Sequence, residues 1–406
     1  MAKGLLKMSA RPGESSLHGR GELGAIARIF LRLGLTAFGG PAAHIGLMER
    51  EAVQRRGWMS TREFLDLVGA CNLLPGPSST QVAMALGYRR AGWLGLAVVG
   101  TCFILPSTLS TLALAWAYVR YGSLPQAQGL LYGAKPVMVA IIVQAVWNLG
   151  RTAFRRWPLA LAGLACFAAV LAGAPPIAVL LVSGGLVSLA AWTRSRPAGA
   201  AGLAGPPSVL KTMGAGPAAT GAALGGGAAV GAVGLLPIVL VFLKMGVVVF
   251  GSGYVLLAFF KADLVDRLHW VTGPQLLDAI TAGQVTPGPV FATATFLGYL
   301  LHGWAGAALA TGAIFLPSFL MAGLVGALAV HIRKSKLAAA FLDGVNAAAV
   351  ALMAFVALAL GRAALVDPWT WALGLAAVGL LVRLRINATW LLLAGAGLGL
   401  LLRGVA

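Results

Sequence analysis

The chain has 406 residues, of which 59% are hydrophobic and only 10% charged, and its mean hydropathy is +0.88. These figures exclude a soluble globular protein, in which about a quarter of the residues are charged, and a disordered chain, which is poor in apolar residues. The 30 Lys and Arg exceed the 11 Asp and Glu and give a formal charge of +19, but they sit mostly at the ends of apolar runs. Basic loops on the cytosolic side of a membrane account for that distribution without nucleic acid as a partner.

Residues 1–29 read as a basic cytosolic tail, since Met1 to Glu22 lack the apolar core of a signal peptide. From residue 30 onward, apolar runs recur at the length of roughly 20 residues that a lipid core about 30 Å thick demands. Trp93 to Tyr118 and Ala347 to Leu360 are apolar on every face, so the spans are helices and not the alternating strands of a barrel. Cys71, Cys102 and Cys166 are isolated in or beside apolar segments and read as small buried side chains.

Sliding the chain along itself exposes a repeat. Phe30-Leu31-Arg32-Leu33-Gly34 and Phe38-Gly39 return as Phe242-Leu243-Lys244-Met245-Gly246 and Phe250-Gly251, an offset of 212. At that offset Trp58 matches Trp270, Asp66 matches Asp278, and Pro75-Gly76-Pro77 matches Pro287-Gly288-Pro289. The offset then becomes 211, carrying Gly87-Tyr88, Gly92-Trp93, Gly95 and Pro106-Ser107 onto Gly298-Tyr299, Gly303-Trp304, Gly306 and Pro317-Ser318. The repeats span 30–192 and 242–403, with a Gly, Ala and Pro-rich linker over 193–241 between them.

Charge at equivalent loops is reversed. Arg89-Arg90 corresponds to Leu300-Leu301, whereas His331, Arg333, Lys334 and Lys336 make a loop far more basic than its counterpart after Arg120. If basic loops are cytosolic, the repeats lie in opposite orientations, which requires an extra crossing that only 215–234 can supply. The expectation is an all-α polytopic membrane protein of two inverted-topology repeats with broken or re-entrant helices, about 10 to 13 membrane segments in all. A six, one, six arrangement with the N-terminus inside fits best.

The breaks are Gly39-Gly40-Pro41 and Gly251-Ser252-Gly253, then Pro75-Gly76-Pro77 and Pro287-Gly288-Pro289. Pro-Gly-Pro removes two backbone donors and ends a helix, and lipid tolerates the freed carbonyls only where protein or water surrounds them. Paired breaks in inverted repeats are the pattern of a secondary transporter's binding site. After the first break, Ser78-Ser79-Thr80-Gln81 open a half-helix whose N–H groups and dipole favour an anion, although Ser and Thr also serve as ordinary caps. Asn72 and Gln284 precede the breaks by three residues, and Arg32 and Lys244 are equivalent cations in apolar runs, read either as snorkelling charges or as anion ligands. Asp66 and Asp278 are equivalent carboxylates that either couple protons or pair structurally. His44 follows the first break and has no histidine counterpart, while Glu49, Glu51 and Asp263 read as solvated loop pairs.

The histidines and cysteines show no ligand spacing and no Walker motif is present, so neither metal nor cofactor is expected. A membrane-embedded enzyme is weakly supported, and a channel differs from a carrier in rate and not in motif. The run Phe38-Gly39-Gly40-Pro41 with His44, then Leu74-Pro75-Gly76-Pro77-Ser78-Ser79-Thr80-Gln81 and Gly87-Tyr88 through Pro106-Ser107, resembles the chromate ion transporter family. Phe250-Gly251-Ser252-Gly253-Tyr254 and Thr286-Pro287-Gly288-Pro289 resemble its C-terminal domain. The resemblance implies a bacterial inner-membrane protein of the long, two-domain form that exports chromate and confers resistance. Chromate and sulfate are alike in size and charge, so another oxyanion stays open as the substrate, as does a homodimer as the assembly.

Overall fold

The computed structural model describes residues 19–38, 40–195, 233–250, 253–334, 336–384 and 386–403. Among them all regular structure is helical, and an isolated antiparallel bridge joins Pro75 to Phe250. The first repeat comprises α1 (Gly19–Thr36), α2 (Gly40–Glu49) with a π-helical extension (Arg50–Arg55), α3 (Thr61–Cys71), α4 (Ser78–Tyr121), α5 (Pro125–Ala153), α6 (Trp157–Leu171) and α7 (Pro176–Ser195). The second copies it element by element. It runs through α8 (Leu235–Val248), α9 (Leu256–Phe260) with a π-helical extension (Lys261–Arg267), α10 (Gly273–Val285), α11 (Thr293–Lys334), α12 (Lys336–Ala364), α13 (Pro368–Arg383) and α14 (Ala388–Arg403).

Equivalent sequence makes equivalent detail. The start of α3 is a capping box in which the Ser60 hydroxyl accepts from the Glu63 N–H at 3.2 Å and the Glu63 carboxylate accepts from the Ser60 N–H at 2.7 Å. Thr272 and Gln275 rebuild it at the start of α10 with 3.3 and 2.9 Å bonds. Both α4 and α11 are broken, at Ala91–Gly92 and at His302–Gly303, where the glycines take φ of 59° and 55°. Each folds back on itself there, because Gly87 lies on Gly95 and Gly298 on Gly306 so closely that a Cβ at either site would strike the facing carbonyl.

The turn-back makes the first four arms re-entrant. The Arg90 guanidinium lies 5.3 Å over the Trp58 ring and pairs with Glu22, so the starts of α1 and α3 share one end of the molecule with the close of the first part of α4. An 11-residue helix such as α3 rises only about 16 Å, half of the lipid core. In place of six through-going helices, each repeat therefore has two re-entrant hairpins followed by the second part of its broken long helix and three further helices. The second repeat is upside down: Trp270 and Leu300 share a small cavity with Tyr118, which lies at the far end of α4.

α7 ends beside the start of α12, the Ser188 hydroxyl donating to Leu337 O at 3.2 Å, while Val233 O meets His302 Nδ1 at 2.9 Å at the other end. The chain thus leaves the first repeat and enters the second at opposite ends, as inverted repeats require. The expected crossing helix over 215–234 lies outside the described residues apart from its last two positions. The repeats also interlock. Gly133 of α5 packs on Gly395 and Gly399 of α14, and its equivalent Gly344 of α12 packs on Ser183 and Gly184 of α7, backbone on backbone as small residues permit.

Nine described helices are apolar enough for membrane use, five of them long enough to span it by length and composition. Their outward faces carry exposed Leu, Val and Trp, as a lipid-facing surface must. Cys71 and Cys166 are buried, Cys102 is half-buried, and all three are free thiols.

Candidate functional site

Each Pro-Gly-Pro tip is hydrogen-bonded across the pseudo-two-fold axis to the first helix of the other repeat. The Gly76 N–H donates to Val249 O at 2.6 Å and the Gly288 N–H donates to Ala37 O at 2.8 Å. Donors and acceptors alike are equivalent positions, so each re-entrant tip is held by the broken first helix of the other repeat. Both glycines need their left-handed backbone, with φ of 114° and 101°. A Cβ at Gly76 would lie 2.7 Å from Gln81 Nε2 and 2.9 Å from Ser318 Oγ, and one at Gly288 would lie 2.8 Å from Ser107 Cβ. Ser107 and Ser318 are themselves equivalent, so one small hydroxyl flanks each tip. Gly40, with φ of 81°, sits beside the Tyr254 hydroxyl, while Gly39 and Gly251 lie outside the described residues.

From the first tip α4 starts at Ser78. Its N-cap is Pro77, without a side-chain cap, so Ser78 is the first helical residue and not the cap that its type suggests. The equivalent Pro289 caps the short 3-10 turn ahead of α11, also without a side-chain bond. Ser78, Ser79, Thr80 and Gln81 are all buried. The Gln81 amide donates to Pro75 O at 2.5 Å, closing the tip. Thr80 Oγ1, Gln81 Oε1, Ser107 Oγ, Thr108 Oγ1, Gln284 Nε2, Thr293 Oγ1 and Ser318 Oγ are buried and have no hydrogen-bond partner among the described residues. Such atoms are costly to bury unpaired, and here they concentrate around the two tips.

His44, fully buried on α2, joins this centre. Its Nε2 lies 3.1 Å from Ala37 O, the carbonyl that also receives Gly288, and its Nδ1 lies 3.4 Å from Ser79 Oγ. Nε2 therefore carries the proton and Nδ1 accepts, with Phe103 edge-on to the ring at 5.7 Å. Its equivalent Leu256 belongs to the apolar core, so this latch exists in one repeat alone.

A cavity of about 610 Å³ leads from the tips to the end that carries Arg155; Pro41, Ile45, Asn72, Ser78 and Tyr254 line its deep part. α5 contributes Gln144, Asn148 and Thr152, the turn after it Arg155, and α12 contributes Asp343 and Asn346. At about 30 Å³ per water it has room for a hydrated ion. The inverted counterparts of several lining residues, Leu257, Leu352, Val356, Leu360 and Met138, are buried in the core. The passage is open toward one end and packed shut toward the other.

The remaining charges divide. Asp278 on α10 pairs with Lys135 of α5 at 3.0 Å and accepts from the Tyr118 hydroxyl at 3.0 Å. Lys244 pairs with Asp263 at 2.6 Å, and Arg267 reaches the same carboxylate at 3.1 Å, so Asp263 is buried in an ion-pair cluster and not solvated in a loop. The equivalent Glu51 binds Arg55 at 3.3 Å and Arg56 at 2.9 Å. Arg32 opens instead on a separate cavity of about 250 Å³ with Arg28, Arg50 and Glu51. Asp66 is half-buried on α3. Asn72 faces the vestibule, and Gln284 is buried against the Tyr254 hydroxyl. Sequence reasoning passed over Lys135, Asn148, Asp343 and Asn346; for Lys135 the signal was available, a single lysine within an apolar run.

A sequence profile described as chromate transporter matches residues 24–189 and 236–400. A probable chromate transport protein of Synechococcus elongatus is 32% identical, covering 89% of this chain and 90% of its own length. The chromate transport protein of Cupriavidus metallidurans is 32% identical over 91% of this chain and 90% of its own, and that of Pseudomonas aeruginosa 32% over 80% and 77%. No solved structure matches the chain.

Proposed function

The chain belongs to the chromate transporter family, and we propose that it exports chromate, or a tetrahedral dianion of the same size, by alternating access at its crossed Pro-Gly-Pro tips. The observation that carries this reading is the floor of the vestibule, where the uncapped helix start at Ser78 opens on the cavity and unpartnered buried hydroxyls lie beside the adjoining tips. An uncapped helix start presents N–H donors and about half a positive charge, which suits an oxyanion and repels a cation. Ser78, Ser79, Thr80 and Gln81 would hold the anion, with Ser107, Ser318, Asn72 and Gln284 around it. Gly39, Gly40, Pro41, Gly251, Pro75, Gly76, Pro77, Pro287, Gly288 and Pro289 would shape the backbone that receives it. His44 would fix Ser79.

The vestibule opens at the end that carries Arg55, Arg56, Arg89, Arg90 and Arg155, which by the positive-inside tendency would be the cytoplasmic face of the bacterial inner membrane, with residues 1–29 on that side. In this orientation the anion would be loaded from inside. Moving one charge through 100 mV is worth about 2.3 kcal/mol, so a departing dianion gains about 4.6 kcal/mol, enough for roughly three decades of concentration ratio. Potential alone would suffice, and proton coupling through Asp66 or Asp278 is a second route. A sulfate carrier or an anion channel is the alternative reading.

The test is uptake of labelled chromate into everted membrane vesicles, with potential and pH gradient collapsed separately and sulfate as competitor. Accumulation that follows the potential supports the proposal. Absence of chromate uptake by folded protein, with sulfate uptake present, moves the substrate to sulfate.

A further inference from the structure

We propose that Lys135 is a second ligand for the anion, used when the passage faces the end opposite the vestibule, and that Asp278 occupies it in the substrate's place meanwhile. The inference rests on the reading of alternating access given above.

Lys135 lies ten residues into α5 from Pro125, about 15 Å along the helix and so near the middle of the lipid core. A cation at that depth is expensive and is kept where it is paired or lines a path for ions. Its partner Asp278 comes from α10, and Tyr118 of α4 closes on the same carboxylate, so three elements converge on one pair.

The inverted repeat assigns the pair its use. At the offset of 211, Lys135 corresponds to Asn346, which lines the open vestibule. Likewise Gln284, next to the second tip, corresponds to Asn72 of the same vestibule. When the repeats exchange conformations, Lys135 and Gln284 take the places that Asn346 and Asn72 hold here. The acid is present in both repeats, as Asp66 and Asp278, but the base in one. Packing alone does not demand a lysine, since asparagine serves at the equivalent position.

An ion pair parted at this depth leaves a buried charge that needs replacing. The arriving dianion supplies it: as Asp278 and Tyr118 withdraw to open the far side, the oxyanion takes over Lys135. Release follows when the carboxylate returns. No covalent step is involved, and the cation keeps the far passage from standing open without an anion in it.

The distinguishing measurement is the KM for labelled chromate presented at each face separately, in everted and in right-side-out vesicles. The informative variant is Lys135→Gln with Asp278→Asn, which removes both charges and strands neither. A lost charged contact of this kind is worth at least about tenfold, so KM should rise about tenfold or more from the far face and less than about threefold from the vestibule face. Equal changes at both faces, or none, overturn the proposal and leave the pair as a structural clamp. Should the double variant fail to fold, Lys135→Arg serves: a ligand position shifts the preference for chromate over sulfate by about threefold or more, while a clamp leaves the ratio unchanged. Wild-type protein that moves neither anion would instead remove the transport reading itself, an outcome distinct from any variant result.

Discussion

Two glycines and one histidine show how single positions divide the work. Gly76 and Gly288 sit where a side chain meets both a forbidden backbone and a neighbour under 3 Å away. Gly76→Ala should therefore destabilise the tip by about 2 kcal/mol or more and abolish chromate uptake, read as Tm in detergent beside transport in vesicles. Gly57 also has a positive φ, of 59°, but opens on empty space. Its equivalent in the second repeat is His269, which holds φ of 52° although it is not glycine. His269→Gly should relieve about 1 kcal/mol of strain and raise Tm by a degree or two without altering KM. A lowered Tm would mean that the His269 side chain contributes more than its backbone costs. Arg155, exposed at the mouth of the vestibule, acts by charge at a distance: Arg155→Gln should slow uptake at low ionic strength and lose that effect above about 0.5 M salt.

Elements explain what residues alone do not. The re-entrant arms are too short to be held by their own helical hydrogen bonds, so their ends carry caps and their tips borrow carbonyls from the other repeat. The Ser60 N–H and hydroxyl bonds hold the Glu63 carboxyl below its usual range, so this exposed box is complete at neutral pH and fades only as pH falls through that lowered value. Glu63→Ala should loosen the start of α3 and leave selectivity untouched, seen as faster hydrogen exchange across Thr61–Cys71. The breaks were readable in the sequence because Pro-Gly-Pro has one meaning inside an apolar run. That the arms turn back was not, since hydropathy does not distinguish a helix that ends midway from one that goes through; the contact of Gly87 with Gly95 decides it. The ion pair of Lys244 with Asp263 was hidden for a similar reason, because 19 residues separate its partners and the π-helical turn that brings them together leaves no sequence period.

At the scale of the whole molecule, the internal repeat and its charge reversal carried the inverted architecture from sequence to structure. The vestibule was out of reach, because α12 delivers Asp343 and Asn346 to a wall shared with α5 only through the interlocking of the repeats, a pairing across about 200 residues. Lys135 escaped because a search for identities between repeats passes over positions where they differ, and its counterpart is Asn346. The asymmetry of open and packed sides allows carrier and channel to be told apart by experiment. Asn148 lines the open vestibule, while native Cys71 and Cys166 are buried and half-buried Cys102 lies outside the cavity lining. A thiol reagent added at the basic end should thus label Asn148→Cys far faster than the unsubstituted protein. In a carrier, chromate supplied at that end drives molecules into the state facing the other side, and the slower empty return keeps them there. Labelling of Cys at 148 should then fall by about half or more as chromate rises through its KM, and recover when the same concentration is present at both ends. A channel with a fixed vestibule would label at one rate regardless of the gradient, and that result would replace alternating access with a pore.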